Sequence, residues 1–417
     1  MSFSERSLDA FSQGNVKSAQ ILFDKALKQD TDDELFSFAE ELSAMGISNN
    51  AKKIYEELLK KYPKEDILKV DLAEIYISDG DTDKATNILA SIDETSDAYL
   101  NALVVSADLY QTLGIYEVSE QKMKTALKLD PDDPVIQFGL AELYFNENKF
   151  SEAIVLYEKL LDEDAKEVSG ISISQRLGAA YAGDGHYNHA AKEYAKTPME
   201  FLNADNLFNY ASVEYQLKHY KESQKIVNQL LKLSPDYSSG YILAAQIANK
   251  NDDYGQALKE AQEGLGYDSF NLALYELGAE AADKLGDVKT ADRLLKQGIA
   301  NVDDRNPLIM MLSDLYLKNN LDEENIALLD KYQTDLQSEQ RIHWNLARSY
   351  DKIDKDDQAN KEIMLVYKQY QNDPSYLHDL INILRKGNNN ALTKSAVQRY
   401  LKFVPDDLEM NELLQEL

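Results

Sequence analysis

The chain of 417 residues contains no cysteine. This absence excludes disulfides, thiolate metal ligands and a cysteine nucleophile, and it suits a reducing compartment. The chain begins Met-Ser-Phe-Ser-Glu-Arg, without a basic stretch followed by an apolar core, so we expect no secretory signal peptide. No stretch approaches the roughly 18 uncharged apolar residues that a membrane span needs. We therefore expect a cytoplasmic protein without membrane insertion.

Basic side chains are scarce. There are 44 of them against 73 acidic side chains, which gives a formal net charge of -29. Such a field repels phosphate backbones, so we expect no nucleic-acid partner. The acids are also explained by the simple need to solvate a long helical surface. The hydrophobic content of 44% is ordinary for a folded chain.

Small residues, most of them alanine, recur at a fixed interval. The step is 34 residues from Ala51 to Ala153 and again from Ser223 to Thr393. The full set is Ala19, Ala51, Ala85, Ser119, Ala153, Ala190, Ser223, Ala257, Ala291, Asn325, Ala359 and Thr393. A second set lies twelve residues earlier and comprises Ala39, Ala73, Ala107, Ala141, Gly178, Ala211, Ala245, Ala279, Ser313 and Ala347. Chance does not keep this register, so the chain is an array of similar units.

Turn-forming residues lie between the two small positions of a unit. They are Gly46, Gly80, Gly114, Asn148, Gly185 and Gly286. Glycine and asparagine accept the left-handed conformation that ends a helix, and proline cannot continue one. Prolines lie twelve residues after the later small position of a unit, the one that Ala51 occupies. They are Pro63, Pro131, Pro235 and Pro405. Each unit is therefore predicted to be two helices joined by a tight turn, with the small residues where the helices cross.

These landmarks resemble the tetratricopeptide repeat (TPR), a 34-residue helical hairpin. The segments 105–133 and 140–161 match it well, and the resemblance covers residues 1–407. It implies an all-α, right-handed superhelical solenoid of about twelve hairpins. The overall composition is similar to that of the long cytoplasmic TPR proteins of Gram-positive bacteria.

The predicted repeats fall into two arrays. Residues 1–167 form an N-terminal array of five repeats, residues 168–407 form a C-terminal array of seven, and residues 408–417 form a capping helix. Three extra residues within 162–172 mark either a hinge or a longer surface turn. Asn325 and Thr393 replace the usual small residue, so the tenth and twelfth repeats (306–339 and 374–407) should pack less tightly.

In the family that the chain resembles, the first helix of each repeat faces a concave groove. Four consecutive repeats place an apolar residue and then an acid there. The apolar residues are Phe36, Val70, Val104 and Phe138, and the acids are Glu40, Glu74, Asp108 and Glu142. This pattern favours a protein or peptide partner with a basic and apolar segment. Ordinary packing between repeats and solvated acids explain the same residues equally simply.

The eleventh repeat differs from the others. Arg341, Trp344 and Arg348 are three and four residues apart, so they share one helix face. Tryptophan and arginine are enriched among binding hot spots, and an exposed trio could accept an acidic segment. Alternatively, Trp344 is a displaced packing residue of the repeat.

Nothing in the sequence indicates catalysis. The pair His186 and His189 lacks the further ligands of a zinc site, and no phosphate-binding glycine motif occurs. We therefore predict no metal, no cofactor and a non-enzymatic scaffold or adaptor. The alternative is a signalling receptor for a short linear peptide, in which Asn101, Asn209 and Asn249 would bind the peptide backbone. The sequence does not indicate the oligomeric state.

Overall fold

The computed structural model describes residues 1–336, 339–387 and 389–417, together with all of their side chains except that of Phe201. The predicted all-α fold is confirmed. The described residues form two compact units, Met1–Thr197 and Pro198–Leu417.

The first unit is a series of helical hairpins with one short β-hairpin. Its elements are α1 Phe3–Ser12, α2 Val16–Gln29, α3 Asp32–Ala44, α4 Ser48–Lys61, α5 Asp66–Ser78, α6 Thr82–Leu89, α7 Tyr99–Thr112, α8 Tyr116–Leu129, α9 Pro134–Asn146, α10 Phe150–Asp162, β1 Glu167–Val168, β2 Ile171–Ser172, α11 Ile173–Gly183 and α12 Tyr187–Tyr194. Consecutive helices pack against each other, and the core of the unit consists of two hydrophobic clusters that meet at α7.

The second unit repeats the same hairpins after a 3₁₀ turn at Met199–Phe201. Its helices are α13 Ala204–Gln216, α14 Tyr220–Leu233, α15 Ser238–Lys250, α16 Tyr254–Tyr267, α17 Leu272–Lys284, α18 Val288–Asn301, α19 Asn306–Lys318, α20 Asp322–Lys331, α21 Arg341–Lys352, α22 Asp356–Leu365, α23 Tyr367–Tyr370, α24 Pro374–Lys386, α25 Asn390–Tyr400 and α26 Leu408–Glu416. The last of these helices lies where the sequence predicts a capping helix.

The small residues lie at the helix crossings. Every member of the first set, from Ala19 to Thr393, is at most 1% exposed. Two serines show the contact directly: the hydroxyl of Ser7 donates to the carbonyl of Ala19 at 2.8 Å, and that of Ser223 donates to the carbonyl of Ala211 at 2.7 Å. Residues twelve apart therefore touch across the hairpin, and Ser7 is the first small position of the first repeat.

Within the described residues, the turn of a hairpin uses one residue with a left-handed backbone. All six predicted turn residues have positive φ, as at Gly80 (φ 78°) and Asn148 (φ 59°). Gly14, at the same place in the first hairpin, also has positive φ. Four further residues at that place that are not glycine have it too, and the sequence pattern did not reveal them. They are Lys218, Asp252, Asn320 and Asp354. Asparagine and aspartate tolerate this conformation, but lysine gains nothing from it.

The three-residue insertion has the form of a β-hairpin. Glu167 pairs with Ser172 and Val168 pairs with Ile171 in antiparallel register. The side chain of Val168 is 5% exposed and belongs to the same hydrophobic cluster as Ile173. The insertion is therefore anchored to the core of the first unit, as a structured surface turn would be.

The described residues lack two kinds of feature. In that part of the chain, no helix is long and apolar enough to cross a membrane. The same residues contain no group of three or more histidines, cysteines or acids arranged to hold a metal ion.

Candidate functional site

The apolar residues predicted to line the groove serve mainly as packing residues. Val70 and Phe138 are 2% and 8% exposed, and Phe138 packs against Tyr157 with ring centroids 6.2 Å apart. Phe36 is half-buried and meets the edge of Tyr55 at 6.1 Å. Of the four predicted residues, Phe36 and Val104 are partly exposed to solvent.

Three of the predicted acids belong to one row of unpaired carboxylates. Glu40 on α3, Glu74 on α5 and Asp108 on α7 are exposed. Within the described residues, these carboxylates make no hydrogen bond and no ion pair. A fourth acid, Asp71 on α5, lies among them. We call Glu40, Asp71, Glu74 and Asp108 the acid row.

Asp71 is the most perturbed member of the acid row. Its Oδ2 atom is buried and accepts no hydrogen bond. Burial, followed by the charges of Glu74 and Glu40, raises the pKa of Asp71 to about 7. Glu74 reaches solvent, but partial desolvation by the surrounding side chains and then the charge of Asp108 also raise its pKa. The row therefore holds like charges close together without a cation to balance them.

Glu142, the fourth predicted acid, is already paired. Its Oε1 accepts a hydrogen bond from Arg176 Nε at 2.7 Å, and the hydroxyl of Tyr157 donates to the same oxygen. The guanidinium of Arg176 also lies 4.3 Å from the ring centre of Phe145. Glu142 is therefore neutralised within the chain and does not share the character of the acid row.

The pairing of Glu142 with Arg176 recurs at the equivalent place in other repeats. In the second unit, Asn345 Nδ2 lies 3.2 Å from Asp314 Oδ1, and Arg348 Nε lies 3.4 Å from Asp379 Oδ2. These residues are 31 apart in the chain, and the three-residue insertion lengthens the step at Glu142 to 34. The same step from Glu40 leads to Asp71. The three observed contacts join complementary groups, whereas Glu40 and Asp71 are two acids whose charges interact.

A depression lies beside Phe36 at the start of the acid row. It has a volume of about 390 Å³ and lies between α3, α4 and α5. Its apolar lining comprises Phe36, Leu58, Tyr62, Ile67 and Leu68, and its acidic lining comprises Asp32, Asp33 and Glu65. Lys61 and Tyr62 already bind Asp32, at 2.5 Å and 2.7 Å. The depression therefore combines an apolar surface with acids at its edge.

The predicted trio of the eleventh repeat is engaged with acids of its own chain. Arg341 Nη2 lies 2.5 Å from Asp314, and Trp344 Nε1 donates to Asp379 at 2.9 Å. Asp379 also pairs with Arg348. The indole of Trp344 is half-buried against Tyr370 and Tyr376, at 5.3 Å and 5.4 Å. Binding of an acidic segment by this trio stays a prediction, since it would have to compete with these carboxylates.

The three asparagines named for the receptor alternative differ in exposure. Asn101 and Asn209 are exposed. Asn249 is half-buried, and its Oδ1 atom is buried without a hydrogen-bond donor. These amides therefore do not present one uniform surface to a peptide backbone.

Four family models match the chain, and all of them describe tetratricopeptide repeats. The YpiA-like models match residues 111–165 and, for C-terminal repeats, 341–407. General tetratricopeptide repeat models match residues 46–104 and 204–237. The chain belongs to the tetratricopeptide repeat family. The positions at which small residues meet across each hairpin are those of the TPR.

The TPR repeat-containing protein YpiA of Bacillus subtilis is similar over almost the whole chain. It is 28% identical over 403 residues, which cover 97% of this TPR protein and 94% of YpiA. The C-terminal part of a TPR repeat-containing protein from Cytophaga hutchinsonii has a similar structure, with a TM-score of 0.46 and 17% identity. That likeness covers 60% of this chain and 99% of the solved one. A chain in the crystal structure of the APC/C hetero-tetramer Cut9-Hcn1 is also similar, with a TM-score of 0.39 and 13% identity. That likeness covers 98% of this chain and 94% of the solved one.

Proposed function

We propose that this TPR protein is a non-enzymatic cytoplasmic scaffold or adaptor that binds a protein segment along the first helices of its N-terminal repeats. The acid row takes a lysine or arginine of that segment, and the depression beside Phe36 takes an apolar side chain. The single observation that carries this proposal is the closeness of Glu40 and Asp71, whose charges interact without a cation paired to either of them among the described residues.

The rest of the chain indicates what the missing group would be. Where Glu142 occupies the place of Glu40, Arg176 supplies a guanidinium that binds the carboxylate. Charge-assisted hydrogen bonds of this kind are strong, and a guanidinium can bind two carboxylate oxygens at once. A cationic side chain of a partner, placed between Glu40 and Asp71, would make the contact that Arg176 makes in the later repeat. It would also relieve the repulsion from Glu74 and Glu40, which adds to the larger effect of burial in raising the pKa of Asp71.

The neighbouring apolar surface adds a second requirement. Phe36 and Ile67 line the depression and come from adjacent first helices, so an apolar side chain would rest between two repeats. Since helices built on packed hairpins are already ordered, the entropy lost on binding falls mainly on the partner. A segment with alternating basic and apolar residues fits both features.

Fluorescence anisotropy with labelled synthetic peptides tests the proposal. The probe carries lysine, arginine and leucine, and a matched peptide carries glutamate in place of the basic residues. The triple variant Glu40→Gln, Asp71→Asn and Glu74→Gln should weaken binding of the basic probe by at least about tenfold, since three carboxylates are lost. Equal binding of the basic probe by wild type and variant would contradict the proposal.

A matched control separates the acid row from the overall negative charge. Asp83, Glu117 and Glu152 are exposed acids on the second helices α6, α8 and α10. Their triple variant (Asp83→Asn, Glu117→Gln and Glu152→Gln) removes the same charge and should leave affinity for the basic probe nearly unchanged. If both triple variants weaken binding equally, the acid row is not a specific site.

The receptor alternative makes a different prediction. The exposed Asn101 and Asn209 are the side chains that could hold a short peptide backbone. A receptor would show a concentration-dependent rise in melting temperature with one short peptide. Substitution of Asn101 and Asn209 by alanine would remove that rise and leave the effect of the acid row intact.

A further inference from the structure

Four buried polar side chains lie where the tenth repeat meets the eleventh. Ser313 on α19, Asn325 on α20, and Asn345 and Ser349 on α21 are each at most 2% exposed. Asn345 Nδ2 donates to Ser313 Oγ at 2.9 Å, and Asn325 Nδ2 donates to Ser349 Oγ at 2.9 Å. We call these four residues the polar joint.

The flanking repeats place apolar residues at three of these four positions. A step of 34 residues to either side leads from Asn325 to Ala291 and Ala359, and from Ser349 to Leu315 and Ile383. The same step leads from Ser313 to Ala279 and Ala347. All six of these residues are 5% exposed or less. The joint therefore has a polar core at positions where its neighbours pack hydrocarbon.

The apolar core divides along the same helix. One hydrophobic cluster of the second unit extends from Tyr275 to Leu346, and another extends from Ala347 to Leu413. The adjacent residues Leu346 and Ala347 thus belong to different clusters, and α21 contributes to both. The two apolar clusters thus meet at α21, where Tyr350 packs against both of them.

Two further features weaken the joint. Asn325 Oδ1 is buried and accepts no hydrogen bond, which costs free energy because the atom has lost its water. The second helices α20 and α22 have 10 residues each, whereas α14, α16 and α18 have 14. Shorter helices bury less apolar surface against their neighbours.

We propose that the second unit opens at the polar joint, so that the repeats from α21 to α26 unfold and refold as a cooperative part separate from α13–α19. Opening would also separate Asp314 from Arg341, whose contact crosses the joint at 2.5 Å. The joint is thus a built-in point at which the C-terminal repeats can change their packing while the preceding repeats stay folded.

Native-state hydrogen exchange of the full chain, followed by mass spectrometry, tests this inference. Amides of α21 and α22 should exchange at least about tenfold faster than those of α16 and α18, because partial opening exposes the former alone. Exchange at one common rate across all of these helices would overturn the proposal, since it would show a single cooperative unit.

The double variant Asn325→Ala and Ser349→Leu gives the joint the residues that the preceding repeat has at Ala291 and Leu315. It should slow exchange in α21 and α22 by about tenfold and leave α14 and α16 unchanged. The matched control, Ala291→Asn with Leu315→Ser, places the polar pair at the preceding joint and should speed exchange in α18 and α19. Faster exchange in the first variant, or no change in it, would overturn the assignment of the opening to these polar residues. The comparison within the wild-type chain stays decisive even if the control variant fails to fold.

Discussion

Arg176 Nε lies 2.7 Å from Glu142 Oε1, and this contact joins the first helices of two successive repeats. Both side chains are about a quarter exposed, so solvent weakens the pair only in part. The contact shows that one place in the repeat is built to join complementary groups. The effect on stability can be measured both at Glu142, where Arg176 supplies the cation, and at Glu40, where Asp71 takes the place of the cation.

Removal of the cation alone should destabilise the first unit. Arg176→Met removes both charge-assisted hydrogen bonds that the guanidinium donates to the Glu142 carboxylate. We expect a loss of about 1–2 kcal/mol in the free energy of unfolding. Urea titration followed by circular dichroism measures this loss. The double variant Arg176→Met and Glu142→Gln should recover part of it, because no unpaired charge remains. A single variant as stable as wild type would show that solvent fully screens the pair.

Asp71 should make stability depend on pH. The pKa of this carboxyl group rises from 3.8 to about 7 on folding, so the folded chain holds a proton that the unfolded chain releases. This stabilising contribution is complete below about pH 4 and is lost as the pH rises through about 7. Asp71→Asn removes the dependence, so the variant should gain melting temperature over wild type at about pH 8 and progressively less as the pH falls.

The exposed Asp83 provides the control for this pH series. Asp83→Asn removes the same charge from α6, where the side chain makes no ion pair within the described residues. A difference between wild type and Asp71→Asn that stays constant from about pH 4 to about pH 8 would mean that burial does not hold the proton on Asp71.

Replacing Lys218 by glycine should stabilise the folded protein. Its backbone has φ 62°, a conformation that costs a residue with a side chain but not glycine. Lys218→Gly should therefore raise the free energy of unfolding by about 0.5–1 kcal/mol, as measured by urea titration. Lys221→Gly, three residues later within α14, should instead lower it by about 1 kcal/mol. Equal effects of the two substitutions would show that the turn geometry does not decide the outcome.

The fold could be predicted from the sequence because close helix contacts demand small side chains at fixed intervals. Ala153 and Ala141 mark such contacts by their identity alone, and Gly80 and Asn148 mark the turns in the same way. Lys218 escaped notice because its conformation follows from its place between two helices and not from its own preference. The positions of the helices and turns in a repeat can therefore be predicted even when single residues depart from the pattern.

The site was less accessible to sequence reasoning because its character depends on contacts between repeats. Glu142 has the same identity and position as Glu40 and Glu74, yet Arg176 neutralises it from the next repeat. Asp71 was missed because its neighbours in the sequence do not reveal that Glu40 lies beside it. A search for residues 31 apart would have found Glu40 with Asp71, but it would have missed Glu142 with Arg176, which the insertion places 34 apart. Either spacing becomes meaningful only when the packing is known.

The packing at Ala153 offers a direct test of the repeat frame. Its side chain is fully buried at the crossing of the fifth repeat. Ala153→Leu would force extra atoms between α9 and α10, and we expect a loss of about 1–3 kcal/mol in the free energy of unfolding. Glu152→Leu adds a leucine at the adjacent exposed position and should change stability little, since solvent accommodates the side chain. If both leucines had the same small effect on urea unfolding, the helices would not meet at Ala153. The series of small residues would then not mark the crossings.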